Sequence, residues 1–153
     1  MCNIIITLLS LVLTWSSFVY VDKRLTTDGE YQASLYYVGK ETTNIHIVTK
    51  MKNGEFISHT YLNSPSLGEI ATFLSKGYFI DDDTDGTYSF RYNMEETNTP
   101  TLLRREGANL YLSMVARVGF SQEETIKMIY HDKKFSIFDM NRNNNIIMYV
   151  KKF

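Results

Sequence analysis

Between Asn44 and Leu62 the chain alternates apolar and polar side chains on either side of a two-residue turn. Ile45, Ile47 and Thr49 take one side, His46 and Val48 the other; Asn53-Gly54 follows, and Glu55 to Leu62 returns. A period of two places successive side chains on opposite faces of a strand, and Asn-Gly supplies the left-handed backbone of a tight turn. The segment therefore predicts a β-hairpin. Turn chemistry marks three more. Asp85-Gly86 leads into Thr87–Tyr92, Gly107 separates Thr101–Leu103 from Leu110–Val115, and the Asn-rich run Asn141–Asn145 separates Phe135–Phe138 from Ile146–Val150.

Two stretches follow the helical period instead. Ser66-Leu67-Gly68-Glu69 has the form of a capping box, Ile70, Phe73 and Leu74 form one apolar stripe, and Gly77 supplies a stop. Ser121-Gln122-Glu123-Glu124 repeats the device, with Phe120 as a staple, Ile126, Ile129 and Tyr130 as the stripe, and Glu123 four residues before Lys127. The rival for Thr125–Tyr130 is a strand, since the run is rich in strand formers. With both helices in place, residues 55–92 and 109–150 share the order strand, capped helix, strand, Asx-rich turn, strand, which is the form of a duplicated unit.

These elements predict an α+β fold: an antiparallel sheet of several hairpins with two short capped helices on one face. Its core is expected to hold Ile45, Ile47, Phe73, Leu74, Phe90, Leu112, Ile129 and Ile137. The alternative is a calycin-like all-β barrel with the first helix as an insertion. Successive hairpins suit a barrel, although the Gly-x-Trp that would mark the resemblance near the start of the domain is missing.

The N-terminus changes the compartment. Met1 to Val21 contains no charged side chain, and Asp22-Lys23-Arg24 follows at once. Such a run reads as a signal peptide over 1–21, with small residues at Thr14 and Ser16 for a peptidase, and it leaves a single globular β-rich domain over 25–153. The alternative is a retained membrane anchor over residues 4–21, because a span needs about 20 apolar residues. Secretion is the expectation, and membrane association belongs only to the retained segment.

The only cysteine is Cys2, so no disulfide can form within the chain. Removing Asp22, Lys23 and Arg24 from 16 basic and 17 acidic residues leaves 14 against 16, a net charge of −2. That balance gives no electrostatic case for nucleic acid as a partner.

Candidate chemistry is sparse. Asp81, Asp83 and Asp85, followed by Gly86, match the first half of a calcium loop, where alternate carboxylates converge on a hard cation. The second half fails: Tyr92 stands where the bidentate Glu belongs, and the flanks read as strands. An acidic solvated hairpin turn accounts for the same residues, so calcium is the only cofactor the sequence raises and its resemblance is weak. His46 and His59 fall near one rung of the first hairpin, half of a metal site with nothing to finish it, and His131 suits a helix C-terminus. No nucleophile motif or phosphate-cradling glycine loop is present.

No enzyme is therefore expected. The leading expectation is a secreted, non-enzymatic binding protein with a protein partner, of the kind a virus or parasite directs at its host. The alternative is a lipocalin-like carrier of a small apolar ligand, which requires the barrel and a lined cavity of about 300 Å³ or more. A metal-dependent enzyme ranks third.

Overall fold

The first hairpin forms as the alternation predicts. Thr42–Lys52 and Glu55–Asn63 pair antiparallel, and Asn53 and Gly54 hold the turn with φ of 53° and 79°. The computed structural model describes residues 28–38, 42–82, 86–101, 108–140 and 146–152. In chain order the elements are β1 (Gly29–Val38), β2 (Thr42–Lys52), β3 (Glu55–Asn63), β4 (Ala71–Asp82), β5 (Thr87–Asn98), α1 (Asn109–Val115), β6 (Ser121–His131), β7 (Phe135–Asp139) and β8 (Ile146–Lys152). Each strand pairs antiparallel with the next, and β8 returns to β1, so the sheet closes into an eight-stranded barrel. The layered α+β arrangement is thereby corrected to the all-β barrel alternative, with one short helix inserted between β5 and β6.

Both predicted helices are strands. In β4 the period is two: Ala71, Phe73 and Ser75 are buried, while Lys76, Tyr78 and Ile80 are exposed. Ser66 does not cap a helix; its Oγ lies 2.9 Å from Ser64 Oγ in a buried turn, and Glu69 accepts a hydrogen bond from Thr101. Gly77 is not a stop but a mid-strand gap. A Cβ there would collide with the carbonyl of Arg91 and lie 2.8 Å from the Phe56 ring. In β6, Glu123 pairs across the barrel wall with Arg91 at 2.9 Å and not along a helix with Lys127. His131 ends a strand, where its Nδ1 lies 2.8 Å from Ser136 Oγ.

The error runs the other way at Leu110–Val115, expected as a strand and found in α1. Without helices at 66–77 and 121–131 the duplicated-unit pattern disappears. The predicted core shifts accordingly: Phe73 is fully buried, but Leu112 is 45% and Ile129 55% exposed.

One end of the barrel is packed solid. Leu62 and Ala71 at the strand ends, Leu67 in the β3–β4 connection, and Ala108 and Tyr111 from the α1 region form one buried cluster with Phe73. Burying the large apolar side chains Leu62, Leu67 and Phe73 stabilises by roughly 1.5–3 kcal/mol each. Tyr111 also donates to Glu96 on β5 at 2.7 Å, which fastens the helix to the wall. The expected signal segment 1–21 lies outside the described residues.

Candidate functional site

Below that plug the barrel interior holds a cavity of about 180 Å³. Eight strands give an interior just wide enough to be filled by side chains or to hold one small ligand. The strand period decides which residues face it, and two chemically different kinds of lining result.

One wall is aromatic. Phe56 of β3, Phe79 of β4, and Phe90 and Tyr92 of β5 line the cavity with ring centroids 5.7 to 6.1 Å apart. The missing side chain at Gly77 makes room for them, since Gly77 pairs in register with both Phe56 and Tyr92.

The other wall carries hydroxyls in an almost continuous cross-strand row. Tyr31 pairs with Thr49, Thr49 with Ser58 and Ser58 with Ser75; on the far side of the seam Ser136 pairs with Tyr149. All six line the cavity, one from each of β7, β8, β1, β2, β3 and β4. Two of these groups satisfy each other, Thr49 Oγ1 and Ser58 Oγ at 2.9 Å, and Ser136 is held by His131. Tyr31 differs. It is 3% exposed, and its Oη is buried with no hydrogen-bond partner among the described residues. Burial alone pushes the Tyr149 phenol up to about 12.

A charged group also reaches the interior. Glu124 lines the cavity and accepts hydrogen bonds from Arg117 at 3.0 Å and Tyr92 at 3.2 Å. Arg117 follows α1, so the inserted helix brings the cation that compensates an inward carboxylate. Desolvation first, then the nearby Glu124 charge, raises the Tyr92 phenol above its ordinary value.

The residues singled out from the sequence lie elsewhere. Asp81 sits at the end of β4, and Asp83 and Asp85 lie outside the described residues. His46 and His59 do share the outer face, offset by one pair: His46 opposes Tyr61 and His59 opposes Val48. Tyr61 stacks on both rings, at 6.2 and 6.4 Å, and His46 Nδ1 lies 3.1 Å from Ser34 Oγ. Among the described residues no group of three or more His, Cys, Asp or Glu could hold a metal ion.

Ile47 and Phe90, expected in the core, do line the cavity, but its hydroxyls were missed because a strand's inward hydroxyl looks like any solvent-facing polar residue in sequence. Their one detectable signal is the period itself: Tyr31 and Ala33 alternate with Gln32 and Ser34, and Phe73 and Ser75 with Thr72 and Leu74.

Fold and cavity together define a class, the closed antiparallel β-barrel with an amphipathic interior. No protein-family model matches the chain, and no curated protein shows significant similarity to it.

Proposed function

We propose that this protein binds a small ligand inside its barrel and catalyses no reaction on it. The observation that carries the reading is an interior cavity of about 180 Å³ lined by Phe56, Phe79 and Phe90 together with a row of hydroxyls. A ligand that occupies it would remove this apolar lining from water, which is favourable.

The cavity is smaller than the 300 Å³ or so that marks drug-sized sites, so the carrier reading narrows to compact ligands. An apolar cavity of about 150 Å³ accommodates benzene, which sets the scale at one ring. The N-terminal sequence supports export, so the ligand would be met outside the producing cell or carried there.

Benzene titrated into the purified protein tests this. A saturating one-ring ligand, present at 100 times its dissociation constant, should stabilise the fold by about 2.7 kcal/mol. Ser75→Phe, which fills the cavity from β4, should remove the effect. No thermal shift with benzene or any one-ring probe would refute the reading.

A second reading, engagement of a protein partner, is favoured by a different observation. The outer face of β6 to β8 exposes Ile129, Tyr130, Ile146 and Met148. Exposed apolar groups clustered on one face are a common mark of protein contact. Crosslinking to a host protein that Met148→Lys abolishes, with benzene binding intact, would place function on this face.

A further inference from the structure

The outer wall of the barrel carries a second concavity, separate from the interior. It is a groove of about 450 Å³ over the later part of β1, the start of β2 and the end of β3, within the roughly 300–1,000 Å³ range of small-molecule sites. We infer that this groove binds a neutral saccharide, with a pyranose ring lying on tyrosine and its hydroxyls held by side-chain amides.

The strand period places the lining outside. On β1, Tyr31 and Ala33 are buried, so Ser34 and Tyr36 face out; on β2 and β3 the outward residues are Asn44, His46, Tyr61 and Asn63, and all six are exposed. Register sets them in two adjacent rows. Tyr36, Asn44 and Asn63 form one, and Ser34, His46 and Tyr61 the next. Residues opposed in this way stand about 4.5–5.5 Å apart at Cβ, so rings and amides can reach one ligand.

Tyr36 is 72% exposed, and its ring is open to a partner. Tyr61 is held in place: the near-parallel rings of His46 and His59 lie 6.2 and 6.4 Å from it, and His46 Nδ1 is 3.1 Å from Ser34 Oγ. A platform fixed beforehand loses less freedom when a ligand arrives.

The lining chemistry narrows the class. No Asp, Glu, Lys or Arg lines the groove among the described residues, although charged residues make up 22% of the chain. A phosphate or carboxylate would meet no cation there. A purely apolar ligand would strip water from the Asn44 and Asn63 amides without replacing its hydrogen bonds. A pyranose meets both demands. The C–H groups on its ring face are weakly positive and suit the negative face of a tyrosine ring. Its hydroxyls each donate and accept, which matches the donor and acceptor that an Asn amide presents side by side.

An array of immobilised neutral oligosaccharides built from glucose, galactose, mannose and N-acetylglucosamine, probed with the full-length protein, tests the assignment. At least one neutral glycan should be retained. Tyr36→Ala should weaken its binding about tenfold or more, whereas Tyr36→Phe should keep it within about threefold, because the ring makes the contact. Asn44→Ala should weaken it about tenfold as well. Both positions are exposed, so each variant should match the unaltered protein in stability within about 0.5 kcal/mol, which a thermal melt checks. Retention of no glycan, retention of sialylated or sulfated glycans alone, or binding that either Tyr36→Ala or Asn44→Ala leaves unchanged would overturn the inference. The thermal shift with benzene reports on the interior separately, so the two readings stand or fall independently.

Discussion

Gly77 is the residue on which the interior most depends. It lies mid-strand, where glycine is ordinarily unfavourable, and is retained because the Phe56 ring and the Arg91 carbonyl approach too closely for a Cβ. Gly77→Ala should destabilise by about 3 kcal/mol, since the obstructing atoms include backbone that cannot move aside cheaply. A thermal melt should fall by roughly 10 °C. Tyrosine titration probes the interior from another direction. Burial pushes Tyr149 up to about 12, and burial followed by the hydrogen bond to Glu96 pushes Tyr111 to about the same value. Both phenols ionise near 10 in the unfolded chain, so the unfolded state loses these protons first as pH rises. Their contribution is therefore complete below pH 10 and is lost as pH climbs toward 12. Tyrosinate absorbance should show a late class of groups that titrates together with unfolding.

Among elements, the seam between β1 and β8 has the shortest ladder among the described residues. β1 pairs with β2 along its whole length from Gly29 to Val38, but with β8 only through Glu30, Tyr31 and Gln32. The Lys152–Glu30 ion pair at 3.0 Å is exposed, and such pairs contribute about 0–1 kcal/mol. Amide exchange should therefore be fastest, among strand residues, at 150–152 and 30–32, and slowest along β3 to β5. Uniform protection around the barrel would contradict this. The inserted helix shows the same dependence on context. Seven residues with no side-chain cap do not form a stable helix alone, so α1 persists because Tyr111 is buried against Phe73 and bonded to Glu96.

At the scale of the whole molecule, closure pairs every described strand on both sides and lines an interior cavity. With its single cysteine at position 2, the barrel should melt at the same temperature with and without reductant. Millimolar calcium should likewise leave the melting temperature unchanged if Asp81, Asp83 and Asp85 form a solvated turn, whereas a calcium loop at saturation would add about 2.7 kcal/mol. A rise of several degrees, lost on replacing Asp83 and Asp85 with Asn, would make that turn a metal site.

The sequence by itself determined the hairpins whose turn residues admit few backbone conformations: Asn53-Gly54, Gly86 with φ of 84°, and the pairing of β7 with β8. It also determined, through its single cysteine, the absence of an internal disulfide. Only the tertiary structure decided β4 and β6. Ile70, Phe73 and Leu74 satisfy a helical stripe as well as Ala71, Phe73 and Ser75 satisfy a strand, and a short apolar run cannot separate the two periods. Neighbouring strands settle the choice, because β4 completes hydrogen-bonded ladders with both β3 and β5 that a helix would leave unpaired. The cavity is non-local for the same reason. Its hydroxyl row joins Tyr31, Thr49, Ser58, Ser75, Ser136 and Tyr149 across more than a hundred residues of chain, through strand registers that exist only once the barrel has closed.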